Sequence, residues 1–571
     1  MKKRGKVNMK QKIIYVFLFI TILFFSCNKN VTKQNVENDL INNNFDDIEF
    51  NFPLTTITEI SEYLNRQTIG ITKEDPIYLQ IQIDLENMLF TTTGWYKLLD
   101  LIDKKNRYIS LDLSECDMDG KIFRPDSIFG NGPAKIVSLI LPKKAISIES
   151  GMLTHPVNGI AIFRYFENLT SVKGENILII GSNAFEDCIN LKNIYFPMAK
   201  TIGNGAFSGC IELSNISFPE VLYIEARAFT DCTKLTDIFF PMAIIIGEES
   251  FSRCVSLKEV NFPNVKNILN FAFEDCIGLE KAYFPELNSI GSTFYGCIKL
   301  EEITISAATE GFNSSTFYNC TNLTKFNLTG SGYLSIIESG RVLVKNNTIL
   351  IAYPSASGNI TMEDVTEIGN GAFAGCIELT SVSFPLATKI GGGAFLDCTN
   401  LYYIYFPIVR EIFPNAFKNC INLINANFPQ VSRILYYAFS GCINLVNLNI
   451  PSIREIRAYV FGSTGSKALT IMMGLRAPSI DTIYTFRETP FQNDVLITKD
   501  VIIKIPAGAQ GYTPFSGTTV TITGVDNQDN WVNRLRGFGV SHIMNDVDGN
   551  IIEVYSDPNP NITVTLIQIS E

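Results

Sequence analysis

Ala206-Phe207-Ser208-Gly209-Cys210-Ile211-Glu212-Leu213-Ser214-Asn215-Ile216-Ser217-Phe218-Pro219 is one turn of a pattern that governs most of the chain. Phenylalanines preceded mostly by alanine recur at Phe185, Phe207, Phe229, Phe251, Phe273, Phe294 and Phe317, then at Phe373, Phe395, Phe417, Phe439 and Phe461. The steps are 22 residues, apart from one of 21, one of 23 and one of 56. Three residues after each of the first eleven stands a cysteine: Cys188, Cys210, Cys232, Cys254, Cys276, Cys297, Cys320, Cys376, Cys398, Cys420 and Cys442. The shared motif is A-F-x-x-C-x-x-L-x-x-I-x-F-P, followed five to six residues later by I-G.

Within each period, L-x-x-I-x-F-P alternates apolar residues of β-favouring type and stops at a proline, which cannot donate a ladder hydrogen bond, so it predicts a short strand. A-F-x-x-C supplies the return arm. One copy cannot bury its apolar face, whereas stacked copies align Leu, Ile and Phe into a continuous core. The expected fold is a β-rich (α/β) solenoid of about 14 coils, on the order of 65 Å long at a strand spacing of about 4.8 Å. The 56-residue step holds two apolar runs, Arg341-Val-Leu-Val and Ile349-Leu-Ile-Ala352, around the turn residues Asn346-Asn347. A β-hairpin inserted near residues 341–352 is expected there.

These periods resemble the BspA-type class of leucine-rich repeats found in bacterial surface proteins. The resemblance covers about residues 136–462 and speaks to fold; the repeat residues themselves are structural. It implies adhesion to host matrix or plasma proteins, or to other bacterial cells. Asp112-Leu113-Ser114, Asn530-Trp531 and the closing apolar stretch also resemble the flanks of lipoproteins that carry such repeats.

Ahead of the array the expected order is a signal peptide over residues 1–26, a flexible tether over 27–50 and a small N-terminal α/β cap over 51–135. Lys2, Lys3, Arg4, Lys6, Lys10 and Lys12 precede 13 largely apolar residues from Ile13 to Phe25, a stretch too short for a stable span. Met9 also leaves a complete signal if it is the start. Leu23-Phe24-Phe25-Ser26-Cys27 resembles a bacterial lipoprotein box, with Phe24 and Phe25 bulkier than its usual pattern, and the resemblance makes Cys27 the lipidated residue and the membrane anchor. In the cap, a helix is expected from Glu59 to Arg66, a strand from Tyr78 to Leu85, a helix from about Gly94 with Trp95, Leu98, Leu99 and Ile102 on one face, and a strand from Tyr108 to Leu113. Residues 463–571 read as a β-rich C-terminal cap, with strands expected at 468–473, 501–506, 518–523 and 562–569.

With 57 acidic and 46 basic residues, six of the latter in the first 12 positions, the chain lacks the basic footprint of a nucleic-acid binder. Two histidines, His155 and His542, leave little material for zinc sites, triads or proton shuttles. The array cysteines recur one per coil without a C-x-x-C pair, which points to small buried core residues in place of disulfides or metal ligands. Gly203-Asn-Gly205 and Gly391-Gly-Gly393 fall at the repeat turn and are not followed by Gly-Lys-Ser/Thr, so a phosphate loop is rejected. Asp546-Val-Asp548-Gly-Asn550 misplaces its glycine for a calcium loop and reads as a turn. Glu301-Glu302 read as solvated, and no G-x-S-x-G elbow occurs. No catalytic residue, metal site or cofactor is expected.

The remaining candidate function is binding. Between the inward Ile and Phe of each strand lies a residue that pleating turns outward: Tyr195, Ser217, Phe239, Asn261, Tyr283, Thr304, Asn327, Ser383, Tyr405, Asn427 and Asn449. Tyr402 and Tyr403 lie beside Tyr405. Exposed tyrosines give large contact area at low entropic cost, so Tyr195, Phe239, Tyr283, Tyr402, Tyr403 and Tyr405 are the candidate ligand-binding residues for a protein partner. The expectation is a lipid-anchored adhesin at the cell surface or outer membrane; the alternative is a structural or envelope-organising lipoprotein facing the periplasm.

Overall fold

A computed structural model describes residues 53–86, 93–125, 132–149, 163, 165–457, 459–462 and 469–473, and the backbone of 479–480, 501–506, 519–522, 542–545, 551–555 and 564–569. The expected signal, Cys27, the tether, His155, Trp531 and Asp546–Asn550 lie outside the described residues.

The chain winds into a β-solenoid of about 15 turns with a period near 22 residues and little helix. Before the regular repeats come α1 (Ile57–Arg66), β1 (Ile77–Gln80), α2 (Gly94–Lys105), β2 (Ile109–Asp112) and β3 (Ile136–Ile140). Thr56 and Glu59 cap α1 reciprocally, each side chain accepting from the other's backbone N–H. Thr93 caps α2, which ends on Asn106 in the left-handed region. Trp95, Leu98, Leu99 and Ile102 are all buried, as their helical spacing predicts. The expected strand from Tyr78 to Leu85 is regular over β1 and continues only as bridges, Leu54 to Ile81 and Asp84 to Asp117. β1 pairs in parallel with β2, β2 with β3, and β3 with Ser171–Lys173. The α/β flank therefore shares its sheet with the array.

Each regular coil has three sides. The first is the strand of L-x-x-I-x-F, stacked in register at 22 residues, as in Asn215–Ser217 on Asp237–Phe239. The second, which motif reading missed, is a two-residue strand ending at the Ile of I-G: Thr201–Ile202, Tyr223–Ile224, Ile245–Ile246 and Asn267–Ile268 follow one another in parallel. The third is the A-F-x-x-C arm, whose N–H groups donate to the next coil: Phe185 to Ala206 at 2.6 Å, Phe207 to Ala228 at 2.8 Å, Phe229 to Ser250 at 2.7 Å.

Two positions of this arm, the residue two before Phe and the residue just before the cysteine, adopt positive φ in most coils. Asn183 and Asp187, Gly205 and Gly209, Asn415 and Asn419 are examples. Just before the cysteine Asn, Asp and Gly predominate because they tolerate that conformation, whereas the position two before Phe also takes Arg227, Glu249, Phe271, Tyr437 and Tyr459. The 21-residue step omits one residue from this arm, and Thr293 takes the place of alanine while keeping the rung from Phe273 N–H to its carbonyl at 3.0 Å.

Inside, two phenylalanine columns run along the array. Phe185, Phe207, Phe229, Phe251 and Phe273 stack nearly parallel at 5.1–5.3 Å. Phe218, Phe240, Phe262 and Phe284 form the second column, edge-on or tilted against the first. The core splits in two at the insertion. Asn346 and Asn347 both have positive φ, as a tight hairpin turn requires, and Val342–Lys345 pairs antiparallel with Ile349–Ala352. A third antiparallel strand, Leu334–Ile337, joins them and was not expected. Ile349–Ala352 then starts a second parallel ladder on Glu367–Ile368. Leu343 packs into the first core, while Val342 and Val344 pack into the second. The expected strands after the array are present as Leu469–Met473, Val501–Pro506, Thr519–Ile522 and Val564–Ile569, in one sheet with the last coils.

Candidate binding face

Chemistry along the interior is closed off. Twelve described cysteines are buried free thiols. In the array each Sγ donates to a carbonyl of the preceding coil, as Cys210 to Phe185 (3.1 Å), Cys276 to Phe251 (3.1 Å), Cys297 to Phe273 (3.0 Å) and Cys442 to Phe417 (3.0 Å). Burial pushes the Cys276 thiol up to about 12 and the Cys210 and Cys420 thiols well above their ordinary 9.0, so none is a nucleophile near neutral pH. Among the described residues no group of three or more His, Cys, Asp or Glu could hold a metal ion, and no helix is long and apolar enough to cross a membrane. Glu302 accepts from Lys325 (2.6 Å) and Asn327 (2.7 Å), and the Lys325 contact holds its carboxyl below the usual range. That environment keeps it charged and unsuited to proton donation.

The outward side chains of the strand sheet are what the fold offers to solvent. Tyr195, Phe239, Tyr283, Tyr402, Tyr403 and Tyr405 are all exposed, from 38% at Tyr283 to 52% at Tyr403. They do not form one cluster. Tyr403 and Tyr405 face out from one strand, Tyr403–Tyr405, and Tyr402 immediately precedes it. Tyr195, Phe239 and Tyr283 lie two coils apart, roughly 10 Å at the parallel-strand spacing. Small polar residues fill the alternate coils: Ser217 pairs with Phe239, and Tyr283 sits between Asn261 and Thr304. Lys173 places its ammonium 5.6 Å from the Tyr195 ring centre, a cation–π contact.

Two further columns were missed. The residue after each cysteine projects outward, giving exposed Ile189, Ile211, Ile277, Ile298, Ile377 and Ile443; the recurrent C-I dipeptide was its signal. The residue before the Ile of each short strand faces out on the second sheet. Tyr223 and Ile245 of this column, with Leu269, Glu225 and Glu248, line a shallow hollow of about 360 Å³. In the second array that column alternates in charge, Glu367, Lys389, Glu411, Arg433, Glu455, and Arg433 bridges Glu411 (2.6 Å) and Glu455 (2.9 Å). Exposed pairs of this kind add little stability each.

Comparison with known proteins agrees with the coil geometry. The BspA type leucine rich repeat region matches in six copies over residues 159–264, 242–340 and 355–476, more than half of the chain. No curated protein matches the chain. A leucine rich cell surface protein of Faecalibacterium prausnitzii is 27% identical over 57% of this chain and 86% of its own, with a TM-score of 0.41. A leucine-rich repeat protein of Bacteroides ovatus is 23% identical over 60% and 80%, with a TM-score of 0.37. The leucine rich repeat protein of T. pallidum is 29% identical over 28% and 80%, with a TM-score of 0.26. Six matched copies on a scaffold whose coils repeat the same Phe, Cys, Leu and Ile contacts leave one assignment, and the chain belongs to the BspA-type leucine-rich repeat family.

Proposed function

We propose that this chain is a lipid-anchored, non-catalytic cell-surface protein that binds protein partners through the outward face of its strand sheet. The partner in this reading is a host matrix or plasma protein, or a surface protein of another cell, and the anchor is Cys27. The observation that carries it is the exposure of Tyr195, Phe239, Tyr283, Tyr402, Tyr403 and Tyr405 on a rigid ladder. Aromatic side chains held by a preformed backbone gain contact area on docking without a large ordering cost. The regular array over 136–462, between flanks over 51–135 and 463–571, presents the face, and residues 27–50 give it reach from the membrane.

Protease shaving of intact cells, with mass spectrometry of released peptides and a periplasmic lipoprotein as control, tests the reading. Release of array peptides while the control stays intact is the expected result. Full protection until the envelope is opened refutes the adhesin reading and leaves an envelope-organising role in the periplasm. With exposure established, Tyr195→Ala and Tyr283→Ala lower capture of host matrix protein.

A further inference from the structure

The two arrays share one backbone pattern, so their outward strand positions can be compared coil by coil with the fold held constant. Three positions per coil face out: the two before the inward Ile and the one after it. In the first array these carry a charged residue in nearly every coil: Lys192, Asp237, Lys258 and Glu259, Glu280 and Lys281, Glu301 and Glu302, Lys325. Several pair across coils, as Lys281 with Glu259 (3.4 Å) and Lys325 with Glu302 (2.6 Å).

In the second array the same positions carry no charge from Thr380 to Asn449. Ser381, Tyr403, Asn425 and Asn447 form one column, and Ser383, Tyr405, Asn427 and Asn449 the other, in continuous or matching register. The amides are already ordered: Asn447 Nδ2 donates to Asn425 Oδ1 and Asn449 Nδ2 to Asn427 Oδ1, both at 2.7 Å. Ser381 Oγ donates to Asn359 Oδ1 at 2.7 Å. Nothing in coil formation demands this neutrality, because the neighbouring second sheet of the same coils keeps its alternating charges.

We propose that this stretch, centred on Tyr403, Tyr405, Asn425 and Asn427, binds a neutral oligosaccharide displayed on the surface the protein meets. It rests on the binding-face reading and extends it to a second ligand. The chemistry is complementary. Sugar hydroxyls are uncharged donors and acceptors, and an amide offers both a donor and an acceptor to adjacent hydroxyls. Tyrosine rings present an apolar face to the C–H side of a sugar ring and a hydroxyl at the tip. Charged groups of any ligand set on this stretch would be desolvated without partners, so it favours an uncharged one. The four columnar steps from Asn359 to Asn447 span roughly 19 Å at the parallel-strand spacing, room for a short chain lying along the array.

Isothermal titration calorimetry of the full chain against a panel of neutral oligosaccharides (chitohexaose, cellohexaose, N-acetyllactosamine oligomers and oligomannose), with heparin and sialylated oligosaccharides as acidic comparators, tests the proposal. Saturable binding of a neutral chain is expected, weakened at least tenfold by Tyr403→Ala with Tyr405→Ala. Asn427→Asp keeps size and acceptor but adds charge, and weakens binding at least tenfold with an unchanged melting temperature. Tyr195→Ala leaves sugar affinity unchanged while lowering protein capture, so failure of either reading shows separately. Absence of saturable neutral-sugar binding at millimolar concentration, binding of acidic chains alone, or an affinity indifferent to the Tyr403, Tyr405 and Asn427 changes would each overturn it.

Discussion

At the scale of single residues, the cysteine column shows how one side chain serves the stack twice. Its small side chain is buried in the core, and its S–H satisfies a carbonyl of the coil before it. The burial was legible from one cysteine per period with no partner cysteine nearby. The hydrogen bond to the preceding phenylalanine carbonyl was not, since it depends on a coil spacing that no local pattern encodes. A linkage follows. Folding raises these thiols above 9.0, to about 12 at Cys276, so the stability they carry is complete below pH 9 and is lost as pH rises toward and past the folded value. Tyr318, raised by burial and by its bond to Asp397, adds to the same window. The melting temperature is expected to be flat from pH 7 to 8.5 and to fall steadily above pH 9. A flat profile up to pH 11 would contradict the buried thiol column.

Among the elements, the strand of L-x-x-I-x-F-P was readable because alternation over seven positions separates inward from outward residues. The two-residue strand was not, because two residues carry no periodicity; the I-G pair marked its end without revealing its pairing. The left-handed positions of the return arm were half-visible as a preference for Asn, Asp and Gly. Glycines there differ sharply in what they face. A Cβ at Gly205 (φ +62°) would meet Asn183 Oδ1, a side-chain atom that can rotate away. One at Gly371 (φ +64°) would lie 2.3 Å from Ser314 Cα, where the arm of one array meets that of the other. Gly205→Ala is expected to cost about 1 kcal/mol, from the left-handed backbone alone. Gly371→Ala should cost about 3 kcal/mol or more, from strain plus overpacking against backbone. Denaturant melts of the two variants check the ranking, and equal midpoints would refute it.

Over the whole molecule, the hairpin anticipated from Asn346-Asn347 turned out to be the joint between two cores. Its turn was legible because Asn-Asn favours positive φ; its third strand and its sharing between cores follow from where the arrays end, which local sequence does not report. In arrays stabilised by nearest-neighbour contacts, such a joint lets the two parts melt separately. Leu343→Ala is expected to destabilise the first array by about 3 kcal/mol, and Val344→Ala the second by about 2 kcal/mol. Hydrogen exchange read by mass spectrometry separates them: protection should fall over residues 171–329 in the one case and 367–456 in the other. Loss of protection throughout in both variants would mean a single cooperative core.

The constant register has a consequence for heredity. Because Cys398 and Cys420 stand in the same place in successive coils, a chain in which Ile421 directly follows Cys398 still reads C-I-N-L and meets the same neighbours above and below. Slippage of one period in the gene therefore changes length without touching the packing rules. It would also remove Tyr402, Tyr403 and Tyr405 in a single event, so a lineage could gain or discard a ligand by the coil while the scaffold passes through unchanged.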